Sequence, residues 1–127
     1  MKKSIIAVLL CVLCVILLLC SCGNKVDPSS ILGEWKLTAI YVDDELMNIS
    51  GLDTTFVFKE GGRGERYSGI DLTSSFEYSI QKDTLNISDR ENNFSVSTKI
   101  KIKGDELKFI TTYNDGYVET DVYKKVK

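Results

Sequence analysis

Four cysteines are the residues whose chemistry is easiest to specify, and all of them lie among the first 22 residues of the chain. They are Cys11, Cys14, Cys20 and Cys22. Cys11 and Cys14 have the spacing of a CxxC pair, which in redox and zinc sites lies on a loop or turn beside a folded domain. Here the pair lies inside the apolar run Ile5 to Cys20, where a thiol behaves as a small hydrophobic side chain. We therefore assign no redox or metal chemistry to this pair.

The apolar run belongs to a pattern that is typical of exported proteins. Lys2 and Lys3 precede the run, and small residues follow it. A basic start, an apolar centre and small residues at the end are the parts of a secretory signal peptide. The run of 16 residues is shorter than the 18 or more residues, roughly, that a membrane-spanning helix needs. A signal anchor that is retained in the membrane stays open as the alternative.

The end of this segment, Leu19-Cys20-Ser21-Cys22, resembles the lipobox of bacterial lipoproteins. The resemblance implies that the chain is cut between Ser21 and Cys22, and that the Cys22 sulfur carries diacylglycerol. Cys20 does not fit, because Leu19 before it is too large for the position preceding the cut. Two or three acyl chains, at about 0.8 kcal/mol per buried CH₂, would hold the protein on the outer side of a cell membrane. An ordinary signal peptide with incidental cysteines is the other interpretation.

These features divide the chain into a signal peptide (residues 1–21), a flexible tether (22–30) and a folded domain (31–127). Without Lys2 and Lys3 the chain keeps 14 basic and 18 acidic residues. The basic residues are also scattered along the sequence. A nucleic-acid partner is therefore not expected, because such proteins carry a clustered basic surface.

Alternating apolar and polar residues predict β-strands through the folded segment. In the stretch Phe94 to Ile102, for example, every second residue is apolar or Thr, so one face of the strand is dry. Turn sequences such as Asn114-Asp115-Gly116 separate these stretches. Two segments are ambiguous: 43–52 could hold one helical turn, and 66–73 is a strand or a long loop.

The pattern predicts an all-β fold, an antiparallel up-and-down meander of about eight strands, preceded by the signal-peptide helix. Such a meander must bury its apolar face and protect its edge strands, and closure into a small β-barrel does both. No cysteine follows Cys22, so the domain holds no disulfide and depends on core burial for its stability.

Gly33-Glu34-Trp35, at the start of the first strand, resembles the Gly-x-Trp motif of the lipocalin superfamily. The whole of residues 31–127 is similar to the short lipocalin-like domains of bacterial lipoproteins. The further matching motifs are the hairpin Phe58 to Gly64 and the ending Tyr123-Lys124-Lys125. The resemblance implies a lipocalin-like barrel closed at one end by Trp35, with Lys124 or Lys125 lying over the indole.

The resemblance also implies a non-catalytic protein that binds a small apolar ligand or an envelope lipid at the open end, opposite Trp35. The possible ligand-facing residues are Trp35, Phe56, Phe58, Phe76 and Tyr78. An eight-stranded barrel is near the size at which side chains either fill it or leave room for one small ligand. The inward positions, to which we also assign Val118 and Val122, are mostly large, which favours a filled interior with at most a shallow pocket.

The chain contains no histidine, and no thiol is left after Cys22. These absences exclude the Ser-His-Asp, Cys-His and His-based zinc designs. The densest acidic cluster, Asp43-Asp44-Glu45, fits no calcium-loop spacing and is interpreted as a solvated turn. We therefore expect no enzyme, no cofactor and no metal. The alternative to ligand binding is a protein-interaction or envelope-structural module with a filled barrel and no ligand cavity.

Overall fold

The computed structural model describes residues 25–127, so the signal peptide, the cleavage site and Cys22 lie outside the described residues. A 3-10 helix, Pro28–Ile31, precedes nine strands. The strands are β1 (Gly33–Val42), β2 (Glu45–Leu46), β3 (Thr54–Lys59), β4 (Arg63–Ser68), β5 (Asp71–Gln81), β6 (Thr84–Asp89), β7 (Phe94–Lys103), β8 (Glu106–Thr112) and β9 (Val118–Lys125). Between residues 25 and 127, no helix is long and apolar enough to cross a bilayer.

The strands form one antiparallel sheet that closes on itself. From β3 to β9 each strand pairs with the next along the chain, and β1 pairs with both β3 and β9. The result is a closed barrel of eight strands, so the predicted fold class is confirmed. The two-residue strand β2 only extends the edge of β1 beyond Tyr41. Asp43 and Asp44 connect β1 to β2 with positive φ angles of 48° and 66°, as a tight hairpin turn requires.

The two ambiguous segments both belong to strands and turns. Residues 66–73 contain the end of β4, a turn at Gly69, and the start of β5. Residues 43–52 contain β2 and a turn in which the Asn48 side chain accepts a hydrogen bond from the backbone of Ser50. Local side-chain bonds of this kind compete with helix formation, which explains why the helical turn considered for this segment is absent.

The helical turn lies instead at Pro28–Ile31, inside the segment expected to be a flexible tether up to residue 30. Asp27 caps this 3-10 helix by accepting a hydrogen bond from the Ser29 backbone at 3.0 Å, and proline occupies its first turn. Ile31 at its end is fully buried in the core. The Val26 backbone N–H also donates to the Lys82 carbonyl at 2.8 Å. The cap, the Val26 hydrogen bond and the burial of Ile31 hold this part of the expected tether against the barrel.

Trp35 closes the end of the barrel next to this helix. Its side chain is fully buried, and its indole N–H donates to the Ile31 carbonyl at 2.7 Å. The Lys125 ammonium lies 5.5 Å from the ring centroid, which confirms the expected cation–π contact. Gly33 has a φ of 123°, and a Cβ there would lie 2.5 Å from the Lys127 carbonyl oxygen, so only glycine lets the start of β1 and the segment after β9 approach this closely.

A second close approach, at Gly64 of β4, gives a prediction about stability. A Cβ at Gly64 would lie 2.3 Å from the Phe76 ring and 3.0 Å from the Val57 carbonyl oxygen. We expect Gly64→Ala to lower the free energy of unfolding by about 1–2 kcal/mol, because the buried ring must shift in a packed core. Thermal melts of the single variants and of Gly64→Ala combined with Phe76→Leu would check this. The smaller side chain should relieve part of the cost, whereas strictly additive effects would contradict the clash.

Candidate ligand cavity

A cavity of about 550 Å³ opens at the end of the barrel opposite Trp35. All eight barrel strands contribute to its wall. Its volume lies within the range of about 300–1,000 Å³ that is usual for small-molecule sites. The expectation of a filled interior with at most a shallow pocket is therefore wrong for this half of the barrel and holds only for the closed end.

The cavity exists because the inward side chains become short and polar toward the open end. Short or polar side chains of the cavity wall belong to Thr54, Ser74, Thr98, Thr111 and Asp89, although on β7 Phe94 and Val96 lie nearer the mouth than Thr98. Near Trp35 the same strands carry large apolar residues that are fully buried, among them Leu85, Ile100 and Leu107. Short side chains cannot span the interior of an eight-stranded barrel, so space remains above the packed layers.

Four aromatic rings form the floor of the cavity. They belong to Phe56, Phe76, Phe109 and Tyr123, which all line it. The ring centroids of Phe56 and Phe109 are 5.4 Å apart, those of Phe109 and Tyr123 are 4.8 Å apart, and those of Phe56 and Phe76 are 6.0 Å apart. These separations are in the favourable range for aromatic pairs. The floor is thus apolar and presents ring edges and faces to a ligand.

Two of the five possible ligand-facing residues, Phe56 and Phe76, line the cavity. The other three lie below the floor. Trp35 and Phe58 are packed in the closed end, at 0% and 2% exposure. The Tyr78 hydroxyl donates to the Lys59 carbonyl at 2.8 Å, and burial raises the pKa of this phenol. Trp35, Phe58 and Tyr78 are therefore not among the residues that line this cavity.

Asp89, at the end of β6, is a cavity-lining carboxylate that already has its partners. Its side chain is 2% exposed and accepts hydrogen bonds from the Asn92 amide at 2.7 Å and from the Ser74 hydroxyl at 2.5 Å. These bonds hold the pKa of Asp89 below its ordinary value. Asp89 therefore fixes the turn between β6 and β7.

Asp121 of β9 is a cavity-lining carboxyl that has one unpartnered oxygen and interacts with the neighbouring carboxyl of Glu119. Its Oδ1 atom is buried and has no hydrogen-bond partner. Burial, followed by the negative charge of the neighbouring Glu119 and a side-chain hydrogen bond with it, raises the pKa of Asp121 from 3.8 to about 7. The carboxyl is therefore close to half protonated at neutral pH, and it lies in the wall of the cavity.

Arg66 of β4 supplies a positive charge at the wall of the cavity. Its side chain is exposed, and its guanidinium carbon lies 6.0 Å from the centroid of the Phe56 ring. The open end thus combines an aromatic floor with a few polar groups of both charges, which is the usual composition of a site for an amphiphilic small molecule.

Sequence reasoning assigned the wrong face of β9 to the interior. Val118 and Val122 were expected to point inward, but Asp121 and Tyr123 line the cavity, and Val122 lies beside an outer groove. Val122 is nevertheless buried, since it pairs with Ala39 and Lys108 on the outer face. The turn 113–117 indicates the correct face of β9, because it pairs Thr112 with Val118. Residues directly opposite each other share a face, and Thr112 points outward next to the inward Thr111, so Val118 points outward as well.

The comparison with known families agrees with this architecture. The profile described as "Lipocalin-like domain" matches residues 31–109, which run from the end of the 3-10 helix to the middle of β8. A comparison with curated proteins found no match. The match covers well over half of the chain, and so the protein belongs to the lipocalin-like domain family.

Proposed function

We propose that this protein is a bacterial lipoprotein, anchored in a membrane, whose barrel binds a small and largely apolar ligand without catalysing a reaction. The cavity of about 550 Å³ opposite Trp35 is the observation that carries the proposal. An aromatic floor with few polar groups above it suits a ligand with an apolar body and one polar end. Lipocalin-like domains are typically those of non-catalytic binding proteins, which supports the same conclusion.

Ligand binding can be tested by filling the cavity. Val96 on β7 is half-buried and lines the cavity, so Val96→Trp should occupy the space. Val57→Trp is the matched control, because Val57 lies on the outer face of β3, between the inward residues Phe56 and Phe58. In native mass spectrometry of full-length protein purified from its own cells, we expect wild type and Val57→Trp to retain a small-molecule adduct. Val96→Trp should lose it. A wild type without any adduct, or an unchanged Val96→Trp, would contradict the proposal.

The geometry of the closed end supports anchoring through Cys22. The first described residues bond to the turn between β5 and β6, so the chain enters the barrel at the Trp35 end. The ten residues of β1 span roughly 30 Å from this end toward the mouth. A tether from Cys22 would therefore hold the closed end toward the membrane and leave the cavity open to the aqueous side.

The attachment site itself gives a sharp prediction. Cys22→Ala should abolish incorporation of a clickable palmitate analogue into the full-length protein, because the thiolate that takes the lipid is gone. Cys20→Ala is the matched control and should keep full labelling, as its position does not fit the lipobox. Labelling is read from a gel after metabolic incorporation in a bacterial host. Label that persists in Cys22→Ala, or disappears in Cys20→Ala, would refute the assignment.

A second function is favoured by the apolar residues around the mouth. Large hydrophobic side chains that are exposed at this end belong to Leu46, Met47, Leu52, Ile70, Leu72, Phe94 and Tyr113. Clustered exposed apolar residues often mark a protein interface. A photo-crosslinking residue in place of Ile70, which is 96% exposed, would distinguish the two functions. A discrete crosslink to one envelope protein, without a small-molecule adduct, would favour the interaction module.

A further inference from the structure

We propose that Asp121 makes the cavity selective for amphiphiles whose head is a hydrogen-bond-donating cation, such as a primary alkylammonium ion. This selectivity rests on the proposed function, because it concerns the ligand of the same cavity. It goes further by naming the charge and the donor capacity of the ligand.

The free oxygen of Asp121 is the first support. Buried polar atoms are nearly always hydrogen-bonded, so an unpartnered carboxylate oxygen that faces a cavity calls for an explanation. Oδ1 of Asp121 is buried without a partner, whereas the oxygens of Asp89 across the cavity accept bonds from Ser74 and Asn92. In its ionised form the Asp121 carboxyl only accepts hydrogen bonds, so a ligand group that partners Oδ1 in that form must be a donor. An ammonium head supplies both the donor and the opposite charge.

The charges that face Asp121 are the second support. Glu119 lies two residues away on the same face of β9, Asp89 lines the cavity from β6, and Arg66 lines it from β4. Tyr123 carries no charge at neutral pH, because burial raises the pKa of its hydroxyl further. Carboxyl groups therefore outnumber the one guanidinium among these cavity-facing groups. An anionic head would meet net repulsion everywhere except beside Arg66.

The loops around the mouth add further negative charge at the open end of the barrel. In the turns that the structure describes at this end, the acidic residues include Asp43, Asp44, Glu45, Asp71, Glu91 and Asp115. Arg90 is the opposing charge in the turn between β6 and β7. A cleft ringed by one sign of charge raises the local concentration of ligands of the opposite sign. Organic cations are thus drawn toward the mouth before they reach Asp121.

The aromatic floor is the third support. On β8, Phe109 pairs directly with Asp121, and the rings of Phe56 and Tyr123 lie 5.4 Å and 4.8 Å from its ring. Aromatic faces attract ammonium groups and also accept an alkyl chain. The Arg66 guanidinium already lies over the Phe56 ring, which shows that this floor accepts a cation from inside the molecule.

The raised pKa of Asp121 sets the direction of the pH dependence. An alkylammonium ion, with a pKa near 10, keeps its charge at neutral pH, so the titrating group is Asp121. The ion prefers the ionised carboxylate, which becomes dominant as the pH rises through about 7. Affinity for the cation should therefore rise about tenfold between pH 6 and pH 8. A neutral alcohol of the same chain length should show no such rise.

Calorimetric titration of the full-length protein in zwitterionic lipid nanodiscs, with empty nanodiscs as the blank, tests the selectivity. The probes are hexylammonium, hexanol and hexanoate. At pH 8, wild type should bind hexylammonium more tightly than hexanol or hexanoate. Its affinity for hexylammonium should be roughly tenfold higher at pH 8 than at pH 6. Asp121→Asn should lose both the preference and the pH dependence. Asp105→Asn removes one charge from the exposed turn between β7 and β8, at the Trp35 end and away from the mouth, and should keep both.

The outcomes separate the two proposals. Tighter binding of hexanoate would overturn the selectivity and identify Arg66 as the determinant. An unchanged preference in Asp121→Asn, or equal binding of all three probes, would overturn the role of Asp121 and leave ligand binding in place. If none of the three probes binds, the proposed ligand-binding function itself fails, and the selectivity fails with it.

Discussion

Replacing Trp35 with alanine is expected to lower the free energy of unfolding by about 4 kcal/mol, the largest effect of any single substitution considered for this protein. The side chain is fully buried, and its removal leaves a cavity at the closed end of the barrel. It also leaves the Ile31 carbonyl without the indole donor and removes the ring beneath Lys125. The whole free energy of unfolding of a domain of this size is about 5–15 kcal/mol, so the variant should be close to unfolding at physiological temperature.

Trp35→Phe is the matched control for this substitution. It keeps most of the buried volume and loses the N–H donor, so we expect a cost of about 1–2 kcal/mol. Thermal melts followed by far-ultraviolet circular dichroism measure both variants without relying on tryptophan fluorescence. If Trp35→Ala melts within a few degrees of wild type, Trp35 does not close the barrel as described.

Asp121→Asn should have the opposite effect and stabilise the protein at alkaline pH. The folded pKa of this carboxyl is about 7, against 3.8 as the ordinary value. Below about pH 3 both states hold the proton, and the site costs almost nothing. Between the two pKa values the unfolded chain releases the proton and the folded chain keeps it, so stability falls as the pH rises. Above about pH 7 the cost is complete.

Near pH 8, Asp121→Asn should raise the free energy of unfolding by on the order of 2 kcal/mol, after discounting for the partial exposure of the site. For a domain of this size that corresponds to roughly 10 °C in Tm. Near pH 3 the gain should almost vanish, since the wild-type carboxyl is then mostly protonated in both states. Melting curves at the two pH values for wild type, Asp121→Asn and Asp115→Asn measure this. A gain of equal size at both pH values, or one shared by Asp115→Asn, would contradict a raised pKa at Asp121.

The strands and their closure could be predicted because they depend on patterns that the sequence carries locally. In β7 the alternation from Phe94 to Ile102 assigns every residue to the correct face, since one side of the strand meets the core. The position of Trp35 and the contact from Lys125 followed from the resemblance at the two ends of the domain. Each of these features needs only one strand or one motif to be interpreted correctly.

The cavity could not be predicted, because it depends on which inward residues meet at the same height in the barrel. Thr98 alternates correctly with Val96 and Ile100, yet its effect on the interior depends on Ser74 and Thr111 in other strands. The register between strands determines which inward side chains lie at the same height. An irregularity between Leu37 and Ala39 shifts the pairing of β1 with β9, and it turns Ile40 toward the cavity.

The face of β9 was missed for a related reason. Val118 and Val122 alternate as an inward set would, but the partly polar set of Glu119, Asp121 and Tyr123 occupies the interior. A hydrophobic pattern alone cannot identify the inward face of a strand when that face carries carboxyl groups, because such a face breaks the rule that apolar residues point inward. The exception coincides with the candidate site.

The central claim is that a ligand enters the barrel at the end opposite Trp35. Titrating isotope-labelled full-length protein in lipid nanodiscs with hexylammonium, and recording amide and side-chain NMR shifts, tests it most directly. The shifts should concentrate at Ile40, Phe109 and Asp121, while the Trp35 indole N–H stays unchanged. Shifts centred on the Trp35 end or on the outer face of the barrel, or no shifts at saturating ligand, would contradict it.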